Sequence, residues 1–172
     1  MKVAFFDAKQ YDKPSFDKYA GQYGIKVKYF ETKLNEDTVY LAKGYDAVCV
    51  FVNDTVNSTV VDRLCEIGVK TVALRCAGFN NVDIEYAASR NIPVCNAGSY
   101  STAAVAQQTF AYILSHYSAV EKYSALVKQG GWITSPTFSM LCCPTDELLG
   151  KTIGIIGYGS IGKKVAEIAL AF

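Results

Sequence analysis

The chain has 172 residues, of which 51 % are hydrophobic and 19 % charged, enough apolar material for one ordinary domain or two small ones and too much for a disordered chain. Seventeen Lys and Arg against sixteen Asp and Glu leave a net charge of +1, so the basic footprint of a nucleic-acid binder is missing and no nucleic-acid partner is expected. No apolar run reaches membrane-spanning length, the opening MKVAFFDAK is too short for a secretory signal, and the expectation is a cytoplasmic protein with no membrane partner and with reduced thiols.

Short apolar runs recur along the first half, at residues 3–6, 27–30, 47–52, 71–74 and 92–95, and once more at 152–157. Most are rich in Val, Ile and Phe without strict alternation, as expected of strands buried on both faces of a parallel sheet. Between them lie helical stretches. Residues 13–22 carry Phe16, Tyr19 and Ala20; residues 36–42 set Val39, Tyr40 and Ala42 among polar neighbours. Ser58 is placed to cap a helix with the inner face Val60, Val61, Leu64, Cys65 and Ile67 and with Gly68 as its stop, and Asp83 to cap residues 84–89. The order β-α-β-α-β-α-β-α-β implies an α/β fold with right-handed crossovers. After Cys95 the rhythm changes. A Gly- and Ser-containing connector leads into one long helix, predicted over 101–127 and ended by Gly130–Gly131; residues 132–147 show no period; residues 151–157 read as a strand and 160–172 as a helix. A domain boundary is expected near residue 98, dividing the chain into 1–98 and 99–172.

The stretch KTIGIIGYGSIG places Gly157, Gly159 and Gly162 in a G-x-G-x-x-G pattern between an apolar strand and an amphipathic helix, the context that gives this otherwise weak triplet its meaning. Gly157 permits the tight turn, Gly159 lets a pyrophosphate approach the backbone, and Gly162 lets the helix pack closely. The N–H groups of Ser160 and Ile161 would then face the phosphates with the helix dipole behind them. A plain strand–turn–helix is the weaker alternative. The acidic residue that holds a ribose lies about 20 residues beyond the first glycines, past Phe172, so NAD is expected and NADP is not excluded. A second stretch, VALRCAGFNNVD, runs from a strand into a Gly/Asn turn before Asp83. Its N–H groups near Ala77, Gly78 and Phe79 could form an anion nest; an ordinary βα turn is an equal alternative.

These two stretches, LRCAGFNNVD and ELLGKTIGIIGYGSIGKKVAEIALAF, with NIPVCNAGSYSTAAVAQQTFAYIL between them, resemble the D-isomer-specific 2-hydroxyacid dehydrogenase family. The resemblance implies a flavodoxin-like substrate domain, most of it in residues 1–98, followed by the opening β-α unit of a Rossmann NAD-binding domain. It implies that the backbone at Ala77 and Gly78 binds a substrate carboxylate, with Arg75 and the Asn80–Asn81 turn shaping that loop. Tyr100 and Ser101 would lie at the interdomain hinge, Val105 and Thr109 at the nicotinamide end, and Gly157, Gly159, Ser160, Ile161 and Gly162 at the pyrophosphate. Gln107 departs from the Glu common in the family. The implied reaction is hydride transfer between a nicotinamide cofactor and a small 2-oxo or 2-hydroxy acid, of lactate or glycerate type, in a homodimer. The family's catalytic Arg, Glu and His would all lie beyond Phe172, so this chain alone is expected to be inactive and to contain no catalytic residue; a non-catalytic nucleotide-sensing or protein-binding module of the same fold is the rival reading.

Other candidates carry less. His116, the only histidine, reads as an exposed helix or interface residue. Cys142–Cys143 lacks C-x₂-C spacing, so no metal site is expected. Cys49, Cys65, Cys76 and Cys95 read as small buried hydrophobes, and Asn53–Asp54 as cleft loop or turn chemistry.

Overall fold

The computed structural model describes residues 1–172, which divide into two compact units, Met1–Gly98 and Ser99–Phe172. In the first, β1 (Lys2–Phe5), β2 (Lys26–Tyr29), β3 (Ala47–Val50), β4 (Thr71–Leu74) and β5 (Val94–Cys95) form one sheet in the order β2-β1-β3-β4-β5. All four pairings are parallel, and this is the flavodoxin-like order. Helices α1 (Lys13–Gln22), α2 (Ser58–Glu66) and α3 (Ile84–Ser89) connect the strands.

Alternation along the strands divides the core. Ala4, Phe6, Val48, Val50, Val72 and Leu74 point to one face, where they meet Val60, Val61 and Leu64 of α2 and Ala87 of α3. Phe5 and Cys49 point to the other and pack with Phe16 of α1, Val3, Val27 and Tyr29. That second face is covered over β1 and β2; farther along the sheet Thr71 and Ala73 are half-buried and Cys95 is exposed. Cys95 is thus not the buried residue expected from its apolar neighbours, because α1 does not reach that end of the sheet.

Local chemistry explains the boundaries. The Asp83 side chain accepts from the Tyr86 N–H and caps α3 as its sequence predicts. At α2 the cap is Asn57 instead of Ser58: its Oδ1 accepts from Val60 N at 3.0 Å and its Nδ2 donates to Glu36, which seats it one residue earlier. The helical stretch expected at 36–42 shortens to a 3₁₀ turn at Val39–Ala42, because Asn35 Oδ1 accepts from the N–H groups of Asp37 and Thr38 and holds the preceding residues in a turn.

The second unit contains α4 (Thr102–Ser118), α5 (Val120–Lys128) and α6 (Ser160–Ala169). Two sequence expectations change here. The long helix is broken at Ala119, which is buried with φ 47°, a left-handed conformation that turns the chain between α4 and α5. Residues 151–157 do not form a sheet strand, since no extended segment of the unit lies alongside to supply a ladder. Ala106, Phe110 and Val165, with Ile113, Ile155 and Ile168 against them, pack α4 on α6.

Leu64 is fully buried and Leu170 is 89 % exposed. Leu64→Ala is expected to cost about 2–5 kcal/mol in urea unfolding, and Leu170→Ala less than about 0.5 kcal/mol.

Candidate functional site

A parallel sheet delivers all its strand ends to one edge, and in an open sheet ligands bind there. At that edge of the first unit, β4 runs into Arg75 and the loop Cys76–Val82. The loop is held from both sides. Ala97 N–H donates to the Cys76 carbonyl and Asn96 Nδ2 to the Ala77 carbonyl. Asn81 Nδ2 donates to the carbonyls of Phe51 (2.8 Å) and Asp54 (2.9 Å), tying the loop to the turn after β3. The N–H groups of Ala77, Gly78 and Phe79 donate to no acceptor within the chain, and Gly78 and Phe79 are exposed. Three successive unpaired amides on a fixed loop can accept a carboxylate or a similar anion.

Arg75 is committed elsewhere. Its side chain is 6 % exposed, with the guanidinium 4.5 Å from the ring centroids of both Phe5 and Phe51. It donates to the carbonyls of Phe6 (3.1 Å) and Asp7 (2.8 Å), and Nε lies 3.7 Å from Asp12. Arg75 therefore fastens β4 to the end of β1 and shapes the loop from beneath; its donors do not face an incoming anion.

Asp7, Asp12 and Asp54 are buried around it. Asp7 holds φ 48°; one carboxylate oxygen pairs with Lys9 at 2.8 Å and the other has no partner. Asp54, read from sequence as cleft loop or turn, is the turn's internal acceptor: it takes the N–H of Leu34 at 2.7 Å and that of Phe51. Burial raises its carboxyl above the ordinary 3.8, against the lowering by these two donors and Arg75. Burial likewise pushes the Cys49 thiol up to about 12, which leaves it unreactive as a nucleophile. The Asp7–Lys9 pair did not stand out in the sequence; an Asp closing a strand-end run is the only local signal, and it is shared by ordinary turns.

In the second unit Gly157 has φ 93°, which a side chain disfavours. A Cβ on Gly162 would lie 2.2 Å from the Gly157 carbonyl, whereas one on Gly159 would meet nothing within 4 Å. The turn thus excludes side chains at two glycines for its own geometry and leaves open space at the third. Gly159 is the N-cap of α6 without a side-chain cap, and its carbonyl accepts the Lys163 N–H. The N–H groups of Ser160, Ile161 and Gly162 consequently have no intrahelical acceptor. Gly157, Gly159, Ser160 and Ile161 are exposed, so the turn fits phosphate oxygens.

The remaining candidates fall outside these two clusters. Thr109 turns its hydroxyl back to the Val105 carbonyl (2.9 Å), while Val105, Gln107 and Tyr100 are exposed and Ser101 precedes α4 without a capping bond. His116 stands edge-on to Tyr117 and is exposed. All six cysteines are free, and no group of three metal-ligating side chains is present.

The family model for the catalytic domain of D-isomer specific 2-hydroxyacid dehydrogenases matches residues 3–160. The chain is 39 % identical over 167 residues to 2-hydroxyacid dehydrogenase homolog 1 of Schizosaccharomyces pombe, covering 97 % of this chain and 48 % of that protein. The apo structure of D-lactate dehydrogenase from Escherichia coli aligns with a TM-score of 0.77 and 33 % identity over 99 % of this chain and 52 % of its own. The NAD-complexed dehydrogenase of Lactobacillus delbrueckii aligns at 0.68 and 27 % identity, over 99 % and 51 %. The chain spans about half the length of the curated relatives it matches.

Two substitutions test the geometry. Gly162→Ala should deform the turn, seen as faster hydrogen exchange across 157–165. Asp54→Asn keeps one acceptor and turns an amide donor on the other N–H, at a cost of about 1–3 kcal/mol in urea unfolding. Because the folded-state proton affinity of Asp54 is raised, the native state keeps its proton where the unfolded state has lost it once pH rises past the ordinary value, and Asp54's contribution to stability falls through that window. The stability difference between wild type and Asp54→Asn should therefore narrow as pH increases from 3.8 upward.

Proposed function

Since the chain belongs to the D-isomer specific 2-hydroxyacid dehydrogenase family, we propose that it forms the substrate-binding unit and the start of the dinucleotide-binding unit of an NAD-dependent oxidoreductase that interconverts a small 2-oxo acid and its D-2-hydroxy acid. The observation that carries the proposal is the glycine turn before α6: three N–H groups without acceptors, a left-handed Gly157, and a Gly162 that a methyl group would drive into the Gly157 carbonyl. A nicotinamide dinucleotide supplies the hydride in this chemistry. The chain's part is to hold the two reactants. Ser160, Ile161 and Gly162 donate N–H groups to the pyrophosphate. Ala77, Gly78 and Phe79 donate theirs to the substrate carboxylate, and Arg75, Asn81 and Asp54 keep that loop in place.

The lactate type is favoured over the glycerate type because relatives and solved neighbours named D-lactate dehydrogenase recur among the matches. Domain 1–98 is the substrate domain in this reading, and 99–172 the start of the cofactor domain. The half-open sheet face near Thr71, Ala73 and Cys95 is the surface a return segment of a longer polypeptide would cover. This reading includes a homodimer contact on α4 and the loop after it, as the resemblance implies. No helix is long and apolar enough to cross a membrane.

The assay is NADH absorbance with pyruvate or hydroxypyruvate, on this chain and on the polypeptide extended to the length of its relatives. The extended form should turn over pyruvate and the 172-residue chain should not; turnover by the latter would overturn the placement of the general acid and base outside it. Cofactor binding without turnover on any 2-oxo acid, even in the extended form, would favour a nucleotide-sensing module. Gly159→Ala, which the turn accommodates, should weaken NADH binding by about tenfold or more while leaving the melting temperature unchanged.

A further inference from the structure

Cys142 and Cys143 differ from the other four cysteines. Their Sγ atoms lie 3.5 Å apart, in thiol–thiol contact. Cys142 is exposed and Cys143 half-buried. By contrast, Cys49 and Cys76 are buried, and the Sγ atoms of Cys76 and Cys95 face the carbonyls of Gly78 and Val72. The pair is pinned. The Tyr123 hydroxyl of α5 donates to the Cys143 carbonyl at 3.1 Å, and just beyond it the Asp146 N–H donates to the Tyr117 carbonyl at the end of α4. Cys143 also lines a cavity of about 510 Å³ with His116, Tyr117, Lys122 and Asp146, which gives a small molecule access to the loop.

We propose that Cys142–Cys143 is a redox-active vicinal dithiol that a low-molecular-weight disulfide, of the glutathione class, oxidises reversibly to an intrachain disulfide. Cys142, the exposed member, loses its proton and attacks one sulfur of the incoming disulfide. That S–S bond breaks, and the released thiolate takes up a proton. Cys143 Sγ, deprotonated in turn, attacks Cys142 Sγ and expels the second thiol. The pair gives up two electrons and two protons, and the small disulfide becomes two thiols. Closure needs a movement from 3.5 Å to a bond of about 2.0 Å. Consecutive Cα atoms lie about 3.8 Å apart, short of the usual disulfide span of about 4.4–6.8 Å. The ring is therefore strained and easily reduced, the property of a switch and not of a structural brace. Desolvation and the neighbouring Cys143 thiol hold the Cys142 thiol above its ordinary value, with the Tyr123 hydroxyl, which faces both, acting the other way, so attack draws on a small thiolate fraction and is best followed at mildly alkaline pH.

The protein, in its native association state, is incubated with oxidised glutathione, alkylated in acid and digested with trypsin. The peptide spanning 129–151 should lose two hydrogens with no retained glutathione, and dithiothreitol should restore it. Cys143→Ser, which keeps the side chain's size, should instead trap glutathione on Cys142. An unmodified peptide from native protein that becomes oxidised only in urea would overturn the proposal. So would wild-type protein that keeps the glutathione adduct as Cys143→Ser does. Neither outcome bears on the dehydrogenase reading, which uses neither cysteine.

Discussion

Five parallel strands send every carboxyl end to one edge of the sheet, and the peptide groups there leave the ladder with their hydrogen-bonding needs unmet. Buried amides and carbonyls must be satisfied or reach solvent or ligand. The first unit meets this constraint unevenly. Asp54 closes the turn after β3 by accepting from Leu34 and Phe51, Asn81 ties the next loop to that turn, and Arg75 takes the carbonyls at the end of β1. With its neighbours closed in this way, the loop after β4 keeps the amides of Ala77, Gly78 and Phe79 free in a fixed arrangement. The order of the loops thus matters: the satisfied ones hold the unsatisfied one open.

The cluster beneath that edge is costly in isolation. Arg75, Asp7, Asp12 and Asp54 all lie largely away from water, and burying charges sacrifices hydration that mutual attraction only partly returns. Two aromatic faces against the guanidinium and main-chain acceptors for its N–H groups offset some of this. What the arrangement secures is the relative placement of β1, β3 and β4 at their ends, where an apolar contact would allow sliding. Burial holds the Cys49 thiol high beside this cluster, with the Arg75 charge acting the other way.

In the second unit the glycines serve distinct purposes. Gly157 supplies a left-handed backbone, Gly162 supplies clearance for a carbonyl, and Gly159 leaves the mouth of the turn open. The family's likeness extends over residues 3–160, so both the amide loop and most of this turn fall inside it.

The sequence by itself determined the strands of the first unit to within one or two residues. Apolar runs are visible without knowing their partners, although only β3 is buried along its whole length and β2 and β4 bury one face more than the other. It also determined the Asp83 cap and the glycine pattern before α6, because these depend on neighbours along the chain. The break at Ala119 was hidden, since alanine favours a helix and only packing of the buried residue forces its backbone over. Asn57 and Ser58 are both good caps, and the choice rested on Glu36, twenty-one residues away. Residues 151–157 have a strand's composition but lack a partner, and pairing belongs to the whole fold. Arg75 sits beside the anion loop in sequence, yet its guanidinium is bound to groups sixty-eight and sixty-nine residues earlier. Backbone preference and apolar pattern are local and can be read in order; the direction of a long side chain is settled only when distant segments meet.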